Sequence, residues 1–243
     1  MGAAASSVAF LTIFPVPRRW SSQVSARTVI FFPLVGALVG GFVATGDLVF
    51  QAFPMLVRSI LVVGLWLLIT GGLHIDGWID ACDAMAPGLT PDKALAAMRD
   101  PRAGAMGVAG AVVLLGTKWA ALASLVDGRA TWILLAAITA RWMVALVMVA
   151  LPYGGGPGGV GWAMSRELRW GHAALATALM VGCLLFAGAP AIAGAMAMAV
   201  VAAVLVALPL RRRLGFVSGD IYGATVELSE VSILLLGCTG VHL

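Results

Sequence analysis

Charge is what this sequence most lacks. Of 243 residues, 11% are Asp, Glu, Lys or Arg and 61% are hydrophobic, whereas a soluble domain carries about a quarter charged residues. Mean hydropathy is +1.03. These values exclude an ordinary soluble domain and read as an integral membrane protein. Its apolar runs have the roughly 20-residue length that crosses hydrocarbon as helix, which favours a helix bundle over a barrel of short alternating strands. Cysteine is scarce as well. Cys82, Cys183 and Cys238 are odd in number and far apart, so neither a disulfide framework nor a CxxC metal pattern follows, and each reads as a small packing residue. No basic residue precedes the apolar stretch Val8 to Phe14, which runs into Pro15-Val16-Pro17, so no signal peptide is expected. Nothing has linker composition, and residues 1–243 read as a single membrane domain whose 30 glycines suit close helix approach.

What is present is a series of apolar segments at 29–50, 55–75, 104–126, 130–151, 172–188, 191–210 and 222–241. They predict an all-α polytopic bundle of about seven transmembrane helices, with a short helix at 6–14 in the interface. With the N-terminus cytoplasmic, the inner segments hold Arg18, Arg19, Arg27, Lys93, Arg99, Arg102, Arg166, Arg169, Arg211, Arg212 and Arg213, and the outer turns only Arg58 and Arg129. That asymmetry follows the positive-inside bias. The basic residues therefore read as topology signals and substrate contacts, and no nucleic-acid partner is expected.

The scarce acids are not scattered. In Gly71-Gly72-Leu73-His74-Ile75-Asp76-Gly77-Trp78-Ile79-Asp80-Ala81-Cys82-Asp83, Asp76, Asp80 and Asp83 stand at i, i+4 and i+7, within about 60° of one another on a helix. Ionised, each close pair would repel by roughly 3 kcal/mol at 5 Å and an effective dielectric of 20. A divalent cation relieves this, and hard carboxylate oxygens suit Mg²⁺ or Mn²⁺. Gly77 beside the first aspartate permits a phosphate or a backbone to come close. The competing reading is a solvated helix end that the acids merely cap. His74 has no second His or Cys at zinc-ligand spacing and reads as a helix-end histidine or a substrate contact.

Further blocks share the predicted inner face. In Met98-Arg99-Asp100-Pro101-Arg102-Ala103-Gly104, Arg99 and Arg102 suit bidentate phosphate binding, just before a helix start that favours anions. As positive-inside residues they could equally anchor topology alone. After Arg211-Arg212-Arg213, Asp220 and Glu227 are i, i+7 on one helix face, with Glu230 a turn beyond. Acids running into an apolar span are costly and usually functional. Lys118 and Arg141 lie inside predicted spans, where a charge costs about 2.5–3.5 kcal/mol on insertion scales. Lys118 is expected to snorkel or reach a buried acid, and Arg141 to face the interior against a carboxylate or a substrate phosphate.

Together the stretches AFLTIFPVP, FFPLVGALVG, TGGLHIDGWIDACDAM, MRDPRAGAMG, KWAAL, LPYG and RRRLGFVSGDIYGATVELSEV resemble the cobalamin synthase family, adenosylcobinamide-GDP ribazoletransferase, over nearly the whole length. The departures are mild: Arg99 stands where lysine is expected, Pro101 for serine, and Cys82 for a smaller residue. The resemblance implies a Mg²⁺-dependent enzyme of the bacterial or archaeal cytoplasmic membrane, with its active site facing the cytoplasm. Such an enzyme joins α-ribazole, or its 5′-phosphate, to the phosphoryl group of adenosylcobinamide-GDP and releases GMP. On this reading Asp76, Asp80 and Asp83, with Asp220 and Glu227, hold metal. Gly77, Arg99, Arg102, Lys118 and Arg141 meet substrate, and Asp83 takes the hydroxyl proton with Asp80 beside it and His74 in reserve. Membrane lipid surrounds the chain, and a homo-oligomer or an association with other cobalamin-assembly enzymes is compatible with it.

Two other readings share part of this pattern. A CDP-alcohol phosphatidyltransferase shares the acid logic, but its signature has Ala-Arg where Ala81 is followed by Cys82. A transporter would place acids at mid-bilayer between repeated halves, and no internal repeat is apparent.

Overall fold

A computed structural model describes residues 2–21, 24–125, 127–154, 156–189 and 191–239. The helices in chain order are α1 (Gly2–Leu11), α2 (Arg18–Ser21), α3 (Ala26–Ile30), α4 (Phe32–Val49), α5 (Met55–Thr70), α6 (Leu73–Ala84) and α7 (Pro91–Ala97). They continue with α8 (Ala105–Ser124), α9 (Arg129–Ala150), α10 (Val160–Ser165), α11 (Trp170–Phe186), α12 (Ile192–Leu214) and α13 (Gly219–Gly237). Among the described residues the sole β-type pairing is an isolated bridge between Tyr153 and Val217, so the all-α expectation holds.

Helices coincide with all seven predicted apolar segments, but the count of seven spans is not reached by length and apolarity. Among the described residues four helices satisfy both, namely α4 with its following 3-10 turn, α8, α9 and α12, or five if α5 and α6 form one bent span. The expected 55–75 span is cut short at Thr70 because Gly71 and Gly72 take φ of 63° and 71°. Glycine alone adopts that left-handed backbone readily, and α6 leaves at 94° to α5. The 172–188 segment forms a helix of only 17 residues. The last segment begins earlier than expected, at Gly219, which brings Asp220 into the first helical turn.

The interior is built around α9 and α13. α9 lies deepest, with 78% of its apolar window buried against 28% for α8, and it packs most extensively on α4 and α13. Small residues set these distances. A Cβ on Gly36 of α4 would stand 2.7 Å from the Ile138 Cα of α9, closer than atoms tolerate, so the two backbones touch there. At the bundle's other polar locus, Asp47 of α4 accepts from Arg58 Nε at 2.8 Å and from Arg129 Nη2 at 2.7 Å. The two arginines assigned to the outer turns thus share one buried aspartate. A buried carboxylate needs such partners.

Candidate active site

The acids meet where α6 crosses the start of α13. A Cβ on Gly77 would lie 2.6 Å from the Asp220 carbonyl oxygen, and one on Gly223 would lie 3.1 Å from the His74 carbonyl oxygen. Glycine at 77 is required for so close an approach, and at 223 a side chain would push the neighbouring backbone back by a few tenths of an ångström. The crossing sets Asp76 and Asp220 on the wall of one cavity of about 190 Å³ and brings Asp80 within electrostatic reach of Asp76, Asp83 and Asp220. Burial first, and then these neighbours, push the Asp80 carboxyl up to about 6. Burial also raises Asp220, although Ser218 Oγ donates to its Oδ2 at 3.1 Å. Among the described residues no three His, Cys, Asp or Glu side chains converge closely enough to hold a metal ion directly. The donor chemistry nevertheless fits a hard divalent cation: carboxylates from two helices repel one another, and one is already driven towards protonation for want of a counter-charge.

The cobalamin-5-phosphate synthase profile matches residues 3–238. An adenosylcobinamide-GDP ribazoletransferase of Pseudomonas syringae pv. syringae is 35% identical over 233 residues, covering 93% of this chain and 94% of the relative. Its namesake in Brevibacillus brevis is 31% identical over 242 residues, covering 97% of each, and that of Ectopseudomonas mendocina 34% over 238 residues, covering 93% and 94%. The chain belongs to the cobalamin-5-phosphate synthase family. No solved structure matches it. These matches do not favour a CDP-alcohol phosphatidyltransferase.

Within this family member the remaining expected site residues fall into three places. Asp83 sits apart from the cavity wall. Its Oδ2 accepts from Gly104 N and its Oδ1 from Gly107 N, each at 2.7 Å. It therefore caps the N-terminus of α8 from a neighbouring helix and satisfies amides that have no partner within α8. Both oxygens of the carboxylate expected as the base are thus engaged by main-chain amides. A Cβ on Gly104 would overlap the same carboxylate. Asp83→Asn, which sets a donor against an N–H, is expected to cost about 1–2 kcal/mol of stability, with Gly107→Ala acting in the same direction. Thermal melting of the two variants checks this, and melting equal to wild type for both would refute the cap.

Arg99 and Arg102 lie on the exposed loop that leads to this capped end. Arg102 forks onto Asp100 through Nε at 2.9 Å and Nη2 at 2.8 Å. An exposed pair of this kind holds the guanidinium only weakly, so it stays free to exchange Asp100 for a phosphate.

Lys118, Arg141 and Glu227 form the third place, and here the expectation changes most. Lys118 Nζ lies 2.8 Å from Glu227 Oε2 and also pairs with Glu230, while Arg141 pairs with Glu230 and donates to the Ala137 carbonyl at 3.1 Å. Trp66 Nε1 donates to Glu230 at 3.1 Å, and its ring lies 4.7 Å from the Lys118 ammonium. All four charged side chains are at most 3% exposed. Lys118 and Arg141 therefore answer buried glutamates, one of the two placements expected for each. Glu227 is held by Lys118 and lies off the cavity wall that carries Asp76 and Asp220.

Sequence reasoning missed two contributors. The chain has only two tyrosines, and Tyr153 and Tyr222 stack on each other at the cavity with centroids 6.3 Å apart and planes 18° apart. Their rarity, and their positions inside LPYG and GDIYGA, was the available signal. Arg213, read only as part of a basic anchor, donates to the Ala86 carbonyl at 3.3 Å and to that of Leu89, tying the end of α12 to the loop after α6.

Proposed function

We infer that this chain transfers the adenosylcobinamide phosphoryl group of adenosylcobinamide-GDP to a hydroxyl of α-ribazole, or of its 5′-phosphate, and releases GMP. The observation that carries this reading is the crossing at Gly77 and Gly223, which sets Asp76 and Asp220, from distant parts of the chain, on one cavity wall with Asp80 in electrostatic reach of both. In the reaction the acceptor oxygen bonds to the phosphorus bearing the corrinoid, the bond from that phosphorus to the GMP oxygen breaks, and the hydroxyl proton must leave. Asp80, the carboxylate beside Asp76 and Asp220 that is not on the cavity wall, takes that proton. Asp76 and Asp220 would hold Mg²⁺ or Mn²⁺, with Asp80 at its edge. Such an ion neutralises charge on a diphosphate. Arg99 and Arg102 reach the diphosphate from the α7–α8 loop. The acid-bearing end faces the cytoplasm of a bacterial or archaeal cell whose cytoplasmic membrane holds the chain, in keeping with the distribution of its arginines.

The test is a membrane-reconstituted assay with α-ribazole or its 5′-phosphate, with and without Mg²⁺, following GMP release. GMP release that depends on acceptor and metal supports the reading, and none with either acceptor overturns it. The pH profile adds a second check. Asp80 must be ionised to act, so the rate falls as pH drops through about 6. Raising Mg²⁺ moves that limb to lower pH, because the cation favours the ionised form.

A further inference from the structure

We propose that the cavity between α6, α9, α10 and α13 receives the aromatic base of the acceptor nucleoside. This rests on the transfer reading above and deepens it. The cavity holds about 190 Å³ and is walled by Phe10, Phe32, Val144, Met148, Met164 and Val226, while Asp76 and Asp220 stand on the same lining. Two of its polar side chains have no hydrogen-bond partner. His74 and Tyr222 both line it and are 3% and 8% exposed, and neither the His74 ring nitrogens nor the Tyr222 hydroxyl has a hydrogen-bond partner. A mainly apolar pocket with a small number of placed polar groups is the usual form of a small-molecule site.

Size and polarity choose among the reaction's components. A corrin ring is far too large for this volume. Guanine carries several donors and acceptors along its edge, and apolar walls would leave most of them unpaired. A benzimidazole-type base is flat and apolar and offers one unsubstituted ring nitrogen as acceptor, to which His74 or Tyr222 can donate. A lipid chain would fill the volume yet leave both polar side chains unpaired. With the base inside, the ribose emerges beside Asp76 and Asp220, which carries its hydroxyl towards Asp80. Tyr153, stacked on Tyr222, backs the site; a Cβ on Gly161 of α10 would come 2.5 Å from the Tyr153 hydroxyl, so α10 presses Tyr153 onto that wall.

The experiment uses the full chain in lipid nanodiscs with α-ribazole as the probe, measuring both its binding by equilibrium dialysis and steady-state GMP release. Met148→Trp fills the cavity and is expected to raise the acceptor KM at least tenfold and to weaken α-ribazole binding equally, with the KM for adenosylcobinamide-GDP unchanged. Met148→Ala enlarges it and is expected to raise use of a bulkier naphthimidazole riboside relative to α-ribazole by severalfold, a gain that misfolding cannot produce. Tyr222→Phe is expected to narrow the preference for α-ribazole over an indole riboside lacking the acceptor nitrogen. The inference is overturned if wild type turns over while neither Met148 variant changes acceptor KM or base preference. It is equally overturned if a co-purified lipid is lost in Met148→Trp while α-ribazole binding persists. Failure of wild type to release GMP with any acceptor would instead sink the transfer reading itself.

Discussion

Replacing Asp80 with Asn is expected to cut turnover by roughly 10²–10⁴-fold, the range for loss of a general base, in protein that still inserts into the membrane. Asn keeps the shape of the side chain and removes one of several crowded negative charges. The raised Asp80 carboxyl sets the sign of the accompanying stability change. Because its folded-state value lies above the ordinary one, the ionised group opposes folding above about pH 6, and that opposition disappears as pH falls towards its unfolded value. Asp80→Asn should therefore melt at or above the wild-type temperature at pH 8, with the difference vanishing near pH 4. Activity assays paired with melting at the two pH values separate a chemical role from a structural one. Near-normal GMP release by Asp80→Asn would remove it from the mechanism.

Glu230→Ala should be the most destabilising single change in the bundle. Glu230 is fully buried and accepts from Lys118, Arg141 and Trp66 at once. Without it, Arg141 keeps only the Ala137 carbonyl, and Lys118 keeps Glu227, so one cation is left uncompensated in an apolar interior. Breaking one partner of a buried pair costs about 3–5 kcal/mol. Replacing the Glu230–Arg141 pair together, with Gln and Met, should recover much of that loss, since no orphan charge then remains. Thermal melting in detergent of the single and double variants reads this out. Equal melting of Glu230→Ala and wild type would mean that the network carries no stability.

The placement of Lys118, Arg141 and Glu227 in a buried ion-pair network has a physical origin. From sequence, Asp220 and Glu227 share one helix face at i, i+7, which made them look like one site. Seven residues are also about 10 Å of helix rise. Asp220 stands in the first turn of α13 beside α6, whereas Glu227 lies deeper, where α8 delivers Lys118 and α9 delivers Arg141. Whether an intramembrane charge meets substrate or another side chain depends on how neighbouring helices are rotated, and periodicity within one helix carries no record of that. Asp83 illustrates the same limit. Its i+7 spacing from Asp76 is sound, but the amides of Gly104 and Gly107 take both its oxygens because α8 starts directly above it.

By itself the sequence determined the membrane class, the helical architecture, the family's motifs and the stretch in which the acids cluster. Each of these is local or compositional: hydrophobic length, charge scarcity, and residues close together along the chain. Tertiary structure alone decided which acids share a cavity, which are consumed as a helix cap or an internal ion pair, and that two rare tyrosines and an unpaired histidine line the same space. Those outcomes depend on the crossing of α6 over α13 and on the turn at Gly71–Gly72 that throws α6 aside at 94°. A crossing is a relation between segments some 140 residues apart, set by glycine-scale contact between backbones, and no property of either segment alone specifies it.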